Sequence, residues 1–229
     1  MNNEDRKGGI SFVAVAVAVC VLLSVCCGGA GVLATGAAFY LNRLPPSTSS
    51  RTDWSTYTHT QSCTHQNPNM RLMGFQIDHP DRMDIEVCTS FSYVNFNEID
   101  SDGNLERQMT VGYLSGQFLS PSSVNELLDD LAPQMESSMP KGSRLLLQQK
   151  GVWQTGDTSN NYRDYILTLA APMSAMPAGE YAFRMVSVLH PTADGFVLIL
   201  VERAEGSVAA AFTDIEDGPM NQIVGSIRF

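Results

Sequence analysis

The stretch that decides the fold is Phe196-Val197-Leu198-Ile199-Leu200-Val201, six apolar residues in a row. Successive side chains of a strand point to opposite faces, so a strand made of this run is apolar on both faces. A strand of that kind is normally covered on both sides. The sequence therefore predicts a sheet that has this strand at its centre and packed layers above and below it.

Other strand patterns lie on both sides of this run along the chain. The predicted strands comprise residues 74–80, 89–99, about 109–113, 144–149, 162–169 and 181–189. The polar residues from Asp100 to Asn104 predict a turn between the second and third of these strands. Because neighbouring strands are joined by short connections, we expect hairpins and a mainly antiparallel sheet.

The clearest helical pattern follows the third strand. Ser120-Pro121, or Ser123 together with Glu126, can cap the start of this helix. Its apolar residues recur at helical spacing, namely Val124, Leu127, Leu128, Leu131 and Met135. Pro133 is expected to kink or end the helix, since proline lacks the backbone N–H that a helix interior uses.

A second, weaker helical segment lies near the end of the chain. It covers residues 207–224, is interrupted by Pro219, and is followed by an extended end at residues 226–229. Together these elements predict an α+β domain of about seven strands. The strands with apolar residues on both faces predict helices on both sides of the sheet.

The N-terminal part of the chain is a separate region. Residues 10–40 contain no charged side chain over 31 positions. A helix crosses a bilayer core with about 20 apolar residues, whereas the apolar part of a cleaved secretion signal has only about 7–15. We therefore predict a single-pass membrane protein: an N-terminal tail (1–9), a transmembrane anchor in contact with lipid (10–41), a polar linker (42–61) and an extracytoplasmic domain (62–229). Lipidation at Cys26 and cleavage at Ala34-Thr35-Gly36 are the alternatives.

Small residues recur every four positions within the anchor. They form two adjacent rows, Cys20, Ser24 and Gly28 in one and Cys27, Gly31 and Thr35 in the other. Rows of small residues allow two membrane helices to approach closely, so these positions are candidates for helix packing. Small residues are also common in membrane helices that have no helical partner.

Only two of the five cysteines, Cys63 and Cys88, lie outside the anchor. Two thiols 25 residues apart in a tethered domain are expected to form one disulfide in an oxidising compartment. This predicts that the domain faces the periplasm or the cell exterior. The alternative is a pair of reduced thiols in a cytosolic domain, since basic residues flank the anchor at both ends and do not decide its orientation.

The charge of the chain excludes one class of partner. Residues 45–229 carry a net charge of −11, from 22 acidic and 11 basic side chains. A surface with this charge repels the phosphate backbone of nucleic acids and anionic lipid headgroups. We therefore expect no nucleic-acid binding.

Two groups of residues contain side chains of the types that bind metal ions. Cys63, His65, His79 and Cys88 could supply a zinc site, but their spacing matches no compact zinc motif. The segment from Glu98 to Asn104 resembles the start of a calcium loop. Aligning its glycine with the loop glycine places Met109 where a bidentate glutamate is required, so a hairpin turn is the better interpretation.

The remaining motifs predict no chemistry. Met173 and Met176 could bind copper through their thioethers, but the methionines are scattered along the chain, which favours core filling. The sequence contains no nucleophile elbow, phosphate-binding loop, dinucleotide fingerprint or paired-histidine zinc motif. We therefore predict no catalytic residue, no metal and no cofactor.

Two short segments at the domain ends carry a resemblance to a known fold. The domain opens with Gly74-Phe75-Gln76-Ile77-Asp78-His79-Pro80 and closes with Ile223-Val224-Gly225-Ser226-Ile227-Arg228-Phe229. Between them lie a hairpin, a helix and a meander. Residues 70–229 thereby resemble the PsbP-like fold, shared by the extrinsic photosystem II protein, a Ran-binding import factor and many bacterial secreted or lipid-anchored proteins.

The resemblance implies a three-layer α/β/α sandwich with an antiparallel sheet between helices, and a role in binding other proteins rather than in catalysis. It maps no functional residue onto this chain. The expected function is a membrane-tethered, non-catalytic accessory module with a membrane or envelope protein as its partner. The alternatives are a domain that binds a small ligand, a lipid or a metal, and an enzyme whose site combines His65, His79 and Asp78 or Asp81 in a deep pocket.

Overall fold

The computed structural model describes residues 53–63, 72–88, 92–114, 121–155, 157–189 and 195–229. These residues form nine strands and three helices. The strands are β1 (Trp54–His59), β2 (Phe75–Pro80), β3 (Asp84–Val87), β4 (Ser92–Ile99), β5 (Leu105–Leu114), β6 (Arg144–Thr155), β7 (Thr158–Leu169), β8 (Gly179–Leu189) and β9 (Gly195–Arg203). The helices are α1 (Pro121–Ser138), α2 (Val208–Asp217) and α3 (Pro219–Gly225).

Seven of the strands form one antiparallel sheet in the order β3-β4-β5-β9-β8-β7-β6. The apolar run 196–201 lies in β9, the central strand, and all six of its side chains are buried. The predicted position of this run is therefore confirmed. The mainly antiparallel character of the sheet is confirmed as well.

One face of the large sheet is covered by α1, which packs on β6, β7 and β8. The five apolar residues predicted to line this helix are all buried there, together with Val197, Ile199 and Val201 of β9. Pro133 does not end the helix, which continues to Ser138. Pro133 lies on the exposed side, while Met135 and Met139 bury the last turns in the core and so stabilise them.

The opposite face is covered by α2, α3 and a small sheet of β1 and β2. The even-numbered residues of β9, Phe196, Leu198 and Leu200, point into this second core. The hydroxyl of Ser207 accepts a hydrogen bond from Ala210 N at the start of α2. Pro219 is the first residue of α3, so the predicted interruption of the helical segment is found.

Strand β1 lies within the segment that the sequence predicts to be a linker. All six of its residues pair with β2, from Trp54 opposite Pro80 to His59 opposite Phe75. Only His59 is fully buried, and the other side chains are exposed or half-buried. The segment is polar because one of its faces meets solvent, and that is why its composition resembles a linker.

The last residues of the chain pair with β2 on the side opposite β1. Gln76 and Arg228 exchange two backbone hydrogen bonds of 2.9 Å. The guanidinium of Arg228 donates to both carboxylate oxygens of Asp78, at 2.8 and 3.1 Å. The opening and closing segments that carry the fold resemblance are therefore neighbours in space.

The predicted anchor, residues 10–41, lies outside the described residues, and so do its packing positions Cys20, Ser24, Gly28, Cys27, Gly31 and Thr35. Within the described residues, no helix is both long and apolar enough to cross a membrane. The anchor therefore stays a prediction from sequence.

Candidate interaction surface

The two edges of the large sheet differ in length and chemistry. Strand β3 has four residues, two of which, Asp84 and Glu86, are acidic. Short, charged edge strands are the usual protection against pairing with another chain. Strand β6 at the other edge has 12 residues and pairs with β7 on one side only. Among the described strands, β3 therefore protects one edge of the sheet, whereas β6 has no strand partner on its other side.

Strand β6 exposes large apolar side chains. Leu146, Leu147 and Val152 have exposed fractions of 62%, 41% and 64%. A long edge strand with exposed apolar residues is a site where another chain can pair. We call this strand, Arg144–Thr155, the β6 edge.

A groove runs between the β6 edge and the C-terminal half of α1. It has a volume of about 850 Å³ and is open along its length. Its lining includes the apolar or aromatic side chains Leu145, Leu147 and Tyr165 and two charges of each sign, Asp129, Glu136, Lys141 and Lys150. Burial raises the pKa of Tyr165 to about 12, with a smaller contribution from the Asp129 carboxylate, so its phenol stays neutral. We call this cleft the α1 groove.

Three basic side chains lie along this region of an otherwise acidic chain. Lys141 and Arg144 are exposed, and neither forms an ion pair with another described residue. Lys150 Nζ lies 2.8 Å from Asp129 Oδ2. Residues 137–156 contain no aspartate or glutamate. Glu136 and Asp157 flank this stretch, and the Glu136 carboxylate accepts a 2.9 Å hydrogen bond from Leu145 N, so charges of both signs lie along the apolar β6 edge.

Asp129 is the acidic residue that attaches α1 to the sheet. Its second carboxylate oxygen accepts a 2.7 Å hydrogen bond from Arg163 Nε of β7. Partial burial acts to raise the pKa of Asp129, but the hydrogen bonds from Arg163 and Lys150 prevail and hold it below its ordinary value. Asp129 is therefore ionised and balanced by two cations, whereas Arg144 and Lys141 form no ion pair with another described residue.

On the opposite face of the sheet, a buried arginine forms the first of two charge clusters. Arg184 of β8 is completely buried, and its Nε and Nη2 lie 2.6 and 2.8 Å from the two carboxylate oxygens of Asp164. Nη2 also donates to Glu216 of α2 at 2.8 Å. The guanidinium carbon lies 4.7 Å from the ring centroid of Trp153 and 4.4 Å from that of Tyr162. These contacts attach α2 to the sheet.

The second cluster crosses three strands in one row. Arg107 of β5 lies between Glu98 of β4 and Glu202 of β9, with nitrogen–oxygen distances of 3.1 Å to each. Burial, aided by the Asp214 carboxylate of α2, raises the pKa of Glu202 to about 7 against the opposing effect of Arg107. Oε2 of Glu202 and Nε of Arg107 have no hydrogen-bond partner among the described residues. Both clusters lie on the α2 side of the sheet, where they link strands to one another and to that helix.

Cys63 and Cys88 form a disulfide in the structure. The bridge lies beside His59, whose Nε2 is 3.9 Å from Cys63 Sγ. His79 is buried, with Nδ1 3.0 Å from the carbonyl oxygen of Pro80. His65 lies outside the described residues. In the part of the chain that is described, no three histidine, cysteine, aspartate or glutamate side chains are close enough to hold a metal ion.

The remaining candidate residues have structural roles. The backbone N–H groups of Asp102 and Asn104 donate to Oδ1 of Asp100 at 2.9 and 2.8 Å, and Gly103 has a φ of 83°. This confirms the hairpin turn between β4 and β5. Met173 and Met176 are buried in the α1-side core, in agreement with core filling.

Removing the disulfide should destabilise the domain. Replacing both cysteines by serine, Cys63→Ser/Cys88→Ser, is expected to lower the free energy of unfolding by about 2–3 kcal/mol, because the bridge restricts a 25-residue loop in the unfolded chain. Denaturant unfolding of the purified chain measures the loss. Peptide mapping of unreduced protein from the native compartment is the control. Free thiols at both positions in that material would contradict the prediction.

Comparison with known proteins adds evidence at the level of the fold. No protein-family model matches the sequence, and no curated protein matches it. The solution structure of cyanobacterial PsbP (CyanoP) from Synechocystis sp. PCC 6803 superposes with a TM-score of 0.51 and 6% sequence identity, over 81% of this chain and 97% of that one. The domain has a PsbP-like fold.

A second solved structure is more distant. LpqN, which is involved in cell envelope biogenesis of Mycobacterium tuberculosis, matches this chain with a TM-score of 0.41 and 11% identity, over 76% of this chain and 90% of that one. At identities of 6% and 11%, no activity can be transferred from either protein.

The sequence did not predict that β6 of this PsbP-like domain is an exposed edge strand. The apolar run Leu145-Leu146-Leu147 predicts a strand but does not show that the strand lies at an edge. One signal could have shown that this strand is partly exposed. The polar residues Gln148, Gln149 and Lys150 follow the three leucines directly and continue the strand. The predicted strand 144–149 is in fact twice as long.

Proposed function

We propose that this chain is a membrane-tethered, non-catalytic accessory module that binds a protein partner in the cell envelope through the β6 edge. The observation that carries the proposal is the contrast between the two edges of the sheet. Among the described strands, a short acidic strand forms one edge, and the 12-residue β6, with exposed leucine and valine, forms the other, where the Glu136 carboxylate binds Leu145 N. An edge of that length is a liability unless something pairs with it.

The interior of the domain supports a binding role over catalysis. Of the side chains proposed for a catalytic site, the described ones, His79, Asp78 and Asp81, are engaged in structural contacts. Asp78 is bound by Arg228 and Thr56, Asp81 accepts a hydrogen bond from Ser55, and His79 packs against Phe96 with ring centroids 5.2 Å apart. The buried clusters around Arg184 and Arg107 link helix α2 to the sheet, and buried Arg163 links α1 to it through Asp129.

The proposed membrane tether is the uncharged segment of residues 10–40. Strand β1 begins at Trp54, so residues 41–53 would separate the membrane from the first strand. A flexible segment of this length has an average reach of about 20 Å. The partner would therefore lie close to the bilayer, and confinement by the anchor would raise the local concentration of the domain near it.

Removing the anchor tests this proposal. A secreted form without residues 1–41 is expected to fold but to fail in complementing a deletion strain at matched abundance, because it loses the effective concentration that tethering provides. A chain in which an unrelated membrane helix replaces residues 10–41 should restore function. Full rescue by the secreted form would show that the tether is dispensable and would favour an activity on a soluble ligand or substrate.

A further inference from the structure

We propose that α2 is held on the sheet by a proton shared between Glu202 of β9 and Asp214 of α2, so that release of this proton loosens the helix. This switch lies within the domain and operates independently of any partner. Three observations support it: a buried carboxyl oxygen without a donor, an excess of carboxyl groups around that oxygen, and the small number of contacts that hold α2.

The carboxyl group of Glu202 lacks a donor for one of its two oxygens. Glu202 is 4% exposed, and its Oε1 accepts a 3.1 Å hydrogen bond from Arg107 Nη2. Its Oε2 is buried and has no hydrogen-bond partner among the described residues. The side chain of Asp214 lies within hydrogen-bonding reach of Glu202, but two ionised carboxylates can only accept hydrogen bonds. One proton turns this contact into a charge-assisted hydrogen bond.

Carboxyl groups outnumber the cations around Glu202. Arg107 divides its charge between Glu202 and Glu98, and Arg82 binds Glu98. The residue opposite Glu202 on β8 is the uncharged Ala182. The other charged groups in this part of the described structure are Glu106 on β5, Glu205 after β9 and Asp214 on α2. Two guanidiniums thus face five carboxyl groups, so a bound proton reduces an excess of negative charge.

The position of Glu202 between the sheet and the helix favours the protonated form. Burial raises the pKa of Glu202 to about 7, the carboxylate of Asp214 adds to this effect, and Arg107 opposes it. Buried polar atoms in folded proteins nearly always have a hydrogen-bond partner. A proton shared with Asp214 supplies that partner, in agreement with the direction of the pKa shift.

Helix α2 depends on few contacts with the sheet. It has 10 residues, and its fully buried side chains are Ala211 and Ile215. Helices this short are not stable alone in water. One polar contact joins Glu216 to Arg184 at 2.8 Å, and the other joins Asp214 to Glu202. When the shared proton is lost, the second contact changes from attractive to repulsive, so α2 is the element that opens first.

The direction of the pH dependence follows from the raised pKa. The ordinary pKa of Glu202 is 4.5, and the value with α2 in place is about 7. Between these values the closed state holds a proton that the open state releases. Opening of α2 therefore becomes more frequent by up to about tenfold per pH unit from 4.5 to 7, and levels off above 7. Below pH 4.5 the helix is fully held.

The test follows amide hydrogen exchange by mass spectrometry in the full-length protein in mild detergent at pH 5, 6, 7 and 8. Protection is corrected for the intrinsic pH dependence of exchange. We expect the protection of residues 208–217 to fall severalfold per unit from pH 5 to 7 and to change little from 7 to 8. The slowest amides of β9 report unfolding of the whole domain, and α2 should exchange at least tenfold faster than they do.

Matched variants identify the proton-binding pair. Glu202→Gln supplies an amide that donates to Asp214 at every pH and should abolish the pH dependence of α2. Asp214→Asn supplies a donor to ionised Glu202 and should protect α2 more than the wild-type residue does at pH 8. Asp217→Asn makes the same charge change at an exposed position of α2, and Glu106→Gln removes another carboxylate of the cluster. Both controls should retain the pH dependence.

Three results would overturn the switch. The first is protection of α2 that stays constant from pH 5 to 7, and the second is a pH dependence that persists in Glu202→Gln. The third is equal protection of α2 and the slowest β9 amides, which would show that the helix opens only when the whole domain unfolds. Loss of the pH dependence in Asp217→Asn or Glu106→Gln would assign it to general charge repulsion and would exclude the specific pair.

Discussion

Replacing Arg184 by methionine is expected to lower the free energy of unfolding by about 3–5 kcal/mol. Arg184 is completely buried and supplies both hydrogen bonds to the Asp164 carboxylate. Burial already raises the pKa of Asp164 above its ordinary value, although Arg184 opposes the shift. Without the guanidinium, Asp164 must either remain as a buried unpaired charge or bind a proton. Denaturant unfolding of the purified chain, followed by tryptophan fluorescence, measures the loss.

Two further variants establish that the loss comes from the unpaired carboxylate. Arg184→Met/Asp164→Leu removes both charges and should recover most of the stability, because a buried ion pair is often replaceable by apolar side chains. Glu216→Gln should cost less than about 1 kcal/mol, since the side chain of Glu216 is 50% exposed. If the double variant were as unstable as the single one, packing of Arg184 between Trp153 and Tyr162 would be the main contribution.

The second large effect concerns pH. The pKa of Glu202 is raised from 4.5 to about 7 in the folded domain, so between these values the folded state holds a proton that the unfolded state has released. Stability from this residue is therefore fully present below pH 4.5 and is lost as the pH rises through 7. The difference between the two pKa values corresponds to roughly 3.4 kcal/mol at most.

Comparison with Glu202→Gln isolates this contribution. Buried His59 has a lowered pKa and acts in the opposite direction, so the slope of the wild-type protein alone is not diagnostic. The substituted amide side chain cannot ionise, so this variant should match the wild-type protein near pH 5 and exceed it in stability near pH 8. Thermal unfolding at several pH values measures the difference. A stability difference that stays constant from pH 5 to pH 8 would contradict the raised pKa.

The parts of the fold that the sequence predicts are those with a local pattern. The central position of β9 follows from six apolar residues in succession, and α1 follows from apolar residues at helical spacing. Strands β1 and β3 escape prediction because they are short edge strands with mostly exposed or half-buried side chains. Their structure comes from pairing with β2 and β4, a tertiary contact that leaves little trace in composition.

The charge clusters and the β6 edge depend on strand order, which no local pattern contains. Glu98, Arg107 and Glu202 become neighbours only once β4, β5 and β9 are in register. Arg184 stands out in the sequence as a charge within an apolar strand, but its partner Asp164 lies 20 residues earlier on β7. In the same way, three successive leucines become an exposed edge only because β6 is the last strand in the sheet.

The strand order also constrains how the domain can be made. Strands β3, β4 and β5 form one consecutive meander, strands β6, β7 and β8 form another, and β9, the last of the described strands along the chain, is inserted between them. Each meander can assemble locally, but until residues 195–203 emerge both β5 and β8 present a long apolar edge without its neighbour. Long-range pairings of this kind form slowly, and such intermediates aggregate readily. From the strand order we therefore expect β9 to pair late in folding, after the two meanders have formed.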